Sequence, residues 1–216
     1  METLLSKNEI VDLMVKQLGT FFPLKYSNDS CELYNSSIAV FPRLEKNFAN
    51  SKSKYFSKKL DDGSTVPFFN PFHAVQWMTF LYYLSHELYL RKSELCDKVY
   101  YLNKILHSVD LFYAIELPDV WSAEHPLGSV MGRAQYSNGL FFYHGCTVGG
   151  TGKDGKLNYP VLEENVLMCS NSSILGRCHI GRNAKIGAGA LVKNQDVPAD
   201  SIVFGQSPNL IIKKAH

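Results

Sequence analysis

The sequence predicts an α+β protein in which an N-terminal α-helical domain precedes a C-terminal parallel β-helix of short repeats. Two observations support this prediction. Over residues 1–108, apolar residues recur at the spacing of helices, whereas after Asp110 one apolar residue recurs every six positions. We therefore expect a helical domain over 1–108, a repeat domain over 109–205 and a C-terminal tail over 206–216.

The helical pattern indicates three helices. The first buries an apolar stripe that includes Ile10 and Leu18 and ends near Gly19. The second begins at Pro71, with Asn70 as its cap, and is apolar on most of its faces. A third follows Ser93. The polar stretch 21–68 predicts a long loop that holds one helix.

A six-residue period organises the second half of the chain. The apolar members of the main series are Leu162, Met168, Ile174, Ile180, Ile186 and Val192, and small residues stand two places before the last four of them, at Ser172, Cys178, Ala184 and Ala190. An earlier series has the same period, with Val130, Tyr136, Phe142 and Val148. Coils of this length bury a core only when they are stacked, which predicts a solenoid. Ordinary strands with coincidental spacing are the alternative.

The two series are out of phase, because Val148 and Leu162 are fourteen residues apart rather than twelve. The glycine-rich segment between them, GGTGKDGKLN, predicts a loop that projects from the solenoid. Its pattern from Gly150 to Lys156 approaches a nucleotide-binding phosphate loop. However, Leu157 stands where magnesium requires Ser or Thr, so that interpretation is rejected.

Composition excludes several classes of function. A formal net charge of +2 is too small for a nucleic-acid-binding surface. The five cysteines are odd in number and show no Cys-x-x-Cys spacing, which disfavours a disulfide framework or a zinc site, and no other metal-ligand cluster is evident. Without a signal-peptide core or an apolar span of membrane length, the sequence predicts a cytoplasmic protein that does not insert into membranes.

Several segments, in order, resemble the serine acetyltransferases, which belong to the left-handed β-helix (hexapeptide-repeat) acyltransferases. They are FHAVQ (72–76), VDL (109–111), EHPLG (124–128), TVGGTGK (147–153) and KIGAGALV (185–192). The resemblance implies a left-handed coil and transfer of an acetyl group from acetyl-CoA to a hydroxyl group. It also implies a homotrimer or a dimer of trimers, with active sites between subunits and no metal.

Within this resemblance, His125 matches the catalytic histidine and Asp110 matches its partner aspartate. A neutral imidazole can take the proton of a hydroxyl group as that group attacks a thioester. A carboxylate on the other ring nitrogen fixes the tautomer and stabilises the imidazolium. The alternative is a structural histidine in a turn, since Glu124 and Pro126 flank it.

The resemblance also implies a set of residues that bind CoA: Gly149, Gly150, Thr151, Gly152, Lys153, Ser170, Ala188 and Lys193. Free backbone N–H groups and lysines in such a loop suit phosphates and the pantetheine arm. Lys156 and Lys185 are further candidates for the phosphates. Any one of these lysines is also explained by solvation of the surface.

The sequence departs from the serine acetyltransferases around the acceptor. Glu124 replaces an aspartate before the histidine, and Asn158 and Tyr159 replace an Arg-His pair that contacts serine. Losing a fixed positive charge weakens the case for a carboxylate substrate. His144, just before the loop, is a further candidate for the acceptor pocket.

Two other functions therefore stay open. One is O-acetylation of a sugar or nucleotide-sugar in surface-polysaccharide biosynthesis, with an aromatic residue that stacks on the sugar; the candidates are Trp121, Tyr136, Tyr143 and Tyr159, which packing also explains. The other is a non-catalytic β-helix scaffold. The C-terminal segment NLIIKKAH lacks the terminal isoleucine of the tail that docks into cysteine synthase, so we expect no such complex.

Overall fold

The computed structural model describes residues 1–51, 53–153 and 156–215. Within it the chain divides into two compact units, Met1–His107 and Ser108–His216. The first unit is helical with a small sheet, and the second consists of short strands.

Across its described residues, the first unit contains four α-helices and one three-stranded sheet. The helices are α1 (Lys7–Phe21), α2 (Tyr26–Asn50), α3 (Ala74–Leu90) and α4 (Leu95–His107). The strands are β1 (Glu2–Thr3), β2 (Ser57–Lys59) and β3 (Thr65–Phe69), with β3 central, and a 3-10 turn, Lys54–Phe56, precedes β2.

Local interactions explain the helix starts. Ser6 and Glu9 form a reciprocal capping box at α1, and the hydrogen bonds from Ser6 lower the pKa of the Glu9 carboxyl. At α4, the backbone N–H of Leu95 donates to Ser93 Oγ, which confirms the predicted cap. The predicted start of α3 is wrong. Asn70 Oδ1 instead accepts the backbone N–H of Phe72 in a turn, and the helix begins at Ala74.

Helix α1 ends at Phe21, two residues after Gly19 and therefore close to the predicted end. The helix expected somewhere within 21–68 is α2, which has 25 residues and takes up much of what looked like loop. Leu33 and Leu44 of this helix are fully buried, so packing outweighs the polar composition and an internal Pro42. In the described part of the chain, no helix combines the length and apolarity needed to span a lipid bilayer.

The described residues of the second unit form sixteen short strands. They are β4 (Asp110–Leu111), β5 (Trp121–Ala123), β6 (Val130–Met131), β7 (Gln135–Tyr136), β8 (Leu140–Phe142), β9 (Thr147–Gly149), β10 (Thr151–Lys153), β11 (Lys156–Asn158), β12 (Val161–Leu162), β13 (Leu167–Met168), β14 (Ser173–Leu175), β15 (His179–Ile180), β16 (Lys185–Ile186), β17 (Leu191–Lys193), β18 (Ser201–Phe204) and β19 (Ile211–Lys214).

Most of these strands stack into three parallel sheets, which we name by number. Face 1 contains β7, β12 and β15; face 2 contains β5, β8, β13, β16 and β18; face 3 contains β4, β6, β9, β14 and β17. Between β6 and β17, apart from β10 and β11, successive strands lie on face 3, face 1 and face 2 in turn, so each turn of the coil in this range adds one strand to each sheet. Strand β19 pairs antiparallel with β18.

The six-residue period places its apolar members in the core, as predicted. All six residues of the main series are at most 1% exposed, and the four small residues two places before them are also buried. One member of the earlier series is wrong: Val130 is 38% exposed, whereas Met131 is fully buried. Met131 aligns with Val148 in the sheet, so the inward register here lies one residue later.

The corner between face 1 and face 2 is held by an asparagine ladder. Asn165, Asn183 and Asp200 occupy successive coils and all have positive φ. Asn165 Nδ2 donates to Asn183 Oδ1 at 3.1 Å, and Asn183 Nδ2 donates to Asp200 Oδ1 at 2.7 Å. Asparagine and aspartate tolerate this backbone region better than other residues with a side chain, so the corner suits them.

Candidate active site

His125 lies in a turn between β5 and β6, at the corner between face 2 and face 3. Its side chain is exposed, and its backbone has φ of 48°, a region that few residues with a side chain adopt. Met131 lies eight positions after Ala123, whereas their sheet partners Val148 and Phe142 are only six positions apart. The turn therefore contains two additional residues. Backbone strain of this kind often accompanies a functional position.

The strand that carries Asp110 runs beside the end of this turn. Asp110 pairs with Val130, and its backbone N–H donates to Ser129 O at 2.8 Å. The backbone N–H of Gly128 donates to Ser108 O at 2.8 Å. These bonds join β4 to the residues that immediately follow His125. The Asp110 side chain is partly buried, as is that of Glu124 on the other side of the turn.

Three other predicted site residues stack at this same corner on successive coils. His144 Nδ1 lies 3.5 Å from Ser170 Oγ, and the backbone N–H of Asn171 donates to His144 O. On the next coil the backbone N–H of Gly189 donates to Ser170 O, which places Ala188 at the corner as well. We call His144, Ser170 and Ala188 the column. Apart from His144 its side chains are small, and a Cβ atom added at the neighbouring Gly189 would meet no atom within 4 Å.

The predicted projecting loop is a β-hairpin of β10 and β11, in which Thr151 pairs with Asn158 and Gly152 pairs with Leu157. It leaves the coil after Gly149, at the corner between face 3 and face 1. A Cβ atom on Gly150 would overlap the Tyr159 ring, so this ring packs against the base of the hairpin. Thr151 Oγ1 donates to Asn194 Oδ1 at 3.2 Å and ties the hairpin to a later coil.

A cleft of about 340 Å³ opens beside the hairpin. Its walls are formed by Thr151, Gly152, Asn158, Arg177, Lys193 and Asn194. Sequence reasoning had selected four of these residues but missed Arg177 and Asn194. One turn of the coil has 18 residues here, since Leu175 pairs with Lys193. Counting by this length from the hairpin corner is the signal in the sequence that leads to Arg177 and Asn194.

The remaining lysines of the predicted set lie elsewhere. The side chain of Lys153 lies outside the described residues. Lys156 is exposed on β11, and Lys185 is exposed on β16 of face 2. Lys185 is therefore on a different face from the hairpin strands. Burial raises the pKa of the Cys169 thiol, and the positive charge of nearby Lys185 lowers it by a smaller amount.

The predicted site residues thus fall into two groups on opposite edges of face 3. Glu124, His125, His144, Ser170 and Ala188 lie at the corner with face 2, with Asp110 on the adjoining strand; Gly149, Gly150, Thr151, Gly152, Asn158, Tyr159 and Lys193 lie at the corner with face 1. Asn171 and Gly176 lie at the two corners of one coil, five positions apart. Because five residues of extended chain span about 16 Å, side chains at one corner of this coil do not contact those at the other.

The aromatic candidates for sugar stacking differ in exposure. Trp121 is 1% exposed and stacks on Phe142 inside the coil, so its proposed role in sugar stacking is wrong. Tyr136 is buried and its hydroxyl donates to Gly132 O at 2.6 Å, as packing predicts. Tyr143 is partly buried, with its ring edge-on to Phe141.

The chemistry available at the His125 corner is that of an imidazole rather than a thiolate. Burial raises the pKa of the Cys146 thiol, which lies at the same corner, so this thiol is protonated at neutral pH. In the described ranges, no group of three or more His, Cys, Asp and Glu side chains is arranged to hold a metal ion. An exposed histidine beside a carboxylate-bearing strand suits proton transfer to and from a bound hydroxyl group.

Comparison with known proteins places these features in context. Residues 159–194 match the family model "Bacterial transferase hexapeptide (six repeats)". A putative serine acetyltransferase of Schizosaccharomyces pombe is 33% identical over 140 residues, which cover 63% of this chain and 50% of that protein. The chain is thus similar in sequence to serine acetyltransferases. It spans about half the length of the first curated relatives that it matches.

Solved structures agree on the fold. The serine acetyltransferase of Neisseria gonorrhoeae superposes with a TM-score of 0.69 and 22% identity, over 95% of this chain and 79% of that one. A serine acetyltransferase in complex with CoA gives a TM-score of 0.69 and 18% identity, over 96% of this chain and 84% of that one. At these identities the likeness concerns the fold.

Proposed function

We propose that this protein is an O-acetyltransferase that moves an acetyl group from acetyl-CoA to the hydroxyl group of L-serine. The observation that carries the proposal is His125, exposed in a strained two-residue insertion beside the strand that bears Asp110. At the described corners of the coil that follow His125, positive φ is found at Asn, Asp or Gly, so the turn itself does not call for a histidine. The serine acetyltransferase-like relatives make this reaction the best-supported chemistry.

In this proposal His125 is the general base. Its neutral imidazole takes the proton of the acceptor hydroxyl while the hydroxyl oxygen bonds to the acetyl carbonyl carbon. As the carbon–sulfur bond breaks, the imidazolium returns this proton to the departing sulfur. Asp110 orients the ring and stabilises its charged form. Backbone N–H groups of the corner stabilise the oxyanion, and no side chain becomes acylated.

Acetyl-CoA supplies the activated acetyl thioester. The column of Ser170 and Ala188, with open space at Gly189, suits a narrow pantetheine chain laid along the corner between faces 2 and 3. The hairpin segment Gly149, Gly150, Thr151, Gly152 and Lys153, with Lys193 beside it, offers N–H groups and positive charge for the phosphates. Glu124, His144, Asn158 and Tyr159 are the residues we assign to the acceptor.

We further propose that the active protein is a homotrimer, or a dimer of trimers, with a left-handed coil. The two groups of site residues lie on opposite edges of face 3, roughly 16 Å apart by strand geometry. A site that needs both groups is completed if the His125 corner of one subunit meets the hairpin of the next. Cytoplasmic location completes the proposal, since the buried thiols of Cys146 and Cys178 suit a reducing compartment.

The proposal is tested by measuring release of the CoA thiol from acetyl-CoA with L-serine, and separately with a panel of sugars and nucleotide-sugars. We expect release with L-serine and detection of O-acetylserine by mass spectrometry. Release only with a sugar or nucleotide-sugar would replace serine by that acceptor. If no acceptor supports release above the hydrolysis background while acetyl-CoA still binds, the protein is a scaffold and the proposal fails.

A further inference from the structure

We propose that Arg177 and Lys193 form an anion-binding subsite, in the cleft beside the hairpin, for a carboxylate or phosphate group of the acceptor. This inference rests on the proposed function, because that function defines the acceptor. Arg177 was not among the residues selected from the sequence. The subsite supplies the positive charge that Asn158, which lines the same cleft, does not carry.

The two cations lie on neighbouring coils at one corner. Lys193 ends β17 and pairs across the sheet with Leu175, two residues before Arg177. Both side chains are exposed and line the cleft. Neither makes an ion pair with a carboxylate in the described part of the chain, although the chain has nearly equal numbers of acidic and basic residues. Two adjacent cations without a counter-charge repel each other, and an anion between them relieves this repulsion.

The backbone that carries the cations is held rigidly. Asn194 Oδ1 accepts the backbone N–H of Arg177 at 3.0 Å and Thr151 Oγ1–H at 3.2 Å. The backbone N–H of Lys193 donates to Ser207 Oγ at 2.9 Å. The charged groups are therefore mobile only through their own side chains, which limits the entropy lost when a ligand binds.

The tight approach at Gly176 maintains this arrangement. Its φ is 78°, and a Cβ atom there would overlap both Asn194 Oδ1 and Thr151 Oγ1. Glycine thus allows the hairpin and the two cation-bearing coils to meet at one point. The cleft that results combines a guanidinium, an ammonium, a hydroxyl and two side-chain amides. A planar guanidinium with an adjacent ammonium recognises carboxylate and phosphate groups and gives no advantage to an uncharged sugar.

Steady-state kinetics with L-serine and L-serinamide test the charge requirement. For Arg177→Gln we expect the KM for L-serine to rise roughly ten- to hundred-fold, as for loss of hydrogen bonds to a charged group. For this variant the KM values for L-serinamide and acetyl-CoA stay within about twofold. Lys193→Met raises the KM for L-serine less, and it also raises the KM for acetyl-CoA because Lys193 is assigned to the CoA phosphates as well. The matched controls are Arg182→Gln and Lys213→Met, exposed cations that do not line the cleft.

A readout independent of activity is the rate at which phenylglyoxal modifies Arg177, followed by peptide mass spectrometry. We expect L-serine, and inorganic phosphate as a second probe, to slow modification of Arg177 but not that of Arg182 in the same sample. Lys193→Met weakens this protection.

The outcomes separate the two proposals. Protection of Arg177 without any acetyl transfer supports the subsite and contradicts the proposed reaction. If Arg177→Gln slows transfer to L-serine and to L-serinamide equally, the subsite is overturned and the reaction is left intact. The same conclusion follows if Arg177→Gln changes only the KM for acetyl-CoA. If neither L-serine nor inorganic phosphate protects Arg177 from modification, the subsite is overturned as well.

Discussion

Asn165 and Asn183 lie one above the other on successive coils, with the Nδ2 group of Asn165 donating to Oδ1 of Asn183 at 3.1 Å. Both residues have φ near 58°. The same side chains that tolerate this backbone conformation therefore also bond to each other along the corner. This explains why asparagine, rather than glycine, occupies these positions.

Replacing Asn183 tests both contributions. Asn183→Ala places a β-carbon in the left-handed region and removes two side-chain hydrogen bonds, so we expect a loss of about 1–3 kcal/mol in the free energy of unfolding. Asn183→Gly removes the bonds but tolerates the φ value, and we expect about half that loss. Urea denaturation measures both. Equal stabilities of the two variants would contradict the backbone argument.

A second prediction concerns the point where the hairpin meets the coil. Gly176→Ala adds both positive-φ strain and overlap with Asn194 and Thr151, so we expect a loss of about 2–4 kcal/mol in the free energy of unfolding. Gly189→Ala is the matched control, because its φ is 69° but a Cβ atom there meets open space. It should cost only about 1–2 kcal/mol. If Gly189→Ala costs as much, steric overlap is not the cause at Gly176.

A third prediction follows from His107 at the end of α4. Burial lowers the pKa of His107 to about 4, and its Nδ1 lies 2.8 Å from Asn103 Oδ1. The unfolded chain, with a pKa near 6.5, binds more protons between these values, so stability falls as the pH drops from about 6.5 to 4. The loss is at most about 3 kcal/mol.

Thermal unfolding at pH 7 and pH 4.5 checks this prediction for the wild type and for His107→Gln, which cannot gain the proton. We expect the wild type to lose more stability than the variant over this range. Parallel losses in both proteins would assign the acid sensitivity to other groups.

The repeat domain was predictable because its physics is local. A coil of three short strands needs one apolar residue every six positions, and Leu162 through Val192 show that spacing directly. The error at Val130 has a physical cause. Met131 and Tyr136 are both buried but only five positions apart, so counting back in sixes from Tyr136 reaches Val130 instead of Met131.

Other features depend on contacts that a linear reading does not contain. Helix α2 is polar in composition and includes Pro42, and it is stabilised by the burial of Leu33 and Leu44 within its own unit. Arg177 has no motif around it and becomes notable only because the coil places it beside Lys193 and the hairpin. Trp121 seemed available to a ligand, but stacking on Phe142 buries it.

A fourth prediction concerns the partner of the proposed base. Asp110→Asn should lower kcat by up to about 10⁴-fold, because an amide no longer fixes the tautomer or stabilises the imidazolium. The KM for acetyl-CoA should change little, and the pH profile of kcat/KM should shift on its acid limb. Glu116→Gln, an exposed carboxyl in the same segment, is the control. A kcat within tenfold of the wild type would remove Asp110 from the mechanism.

The most direct test of the account is the rate of CoA thiol release with L-serine for His125→Asn. Asparagine tolerates the φ of 48° at this position, so the turn and the melting temperature should be preserved while the base is lost. We predict a fall in kcat of about 10²- to 10⁴-fold. A variant that unfolds like the wild type and retains kcat within threefold would contradict the central claim that His125 is the catalytic base.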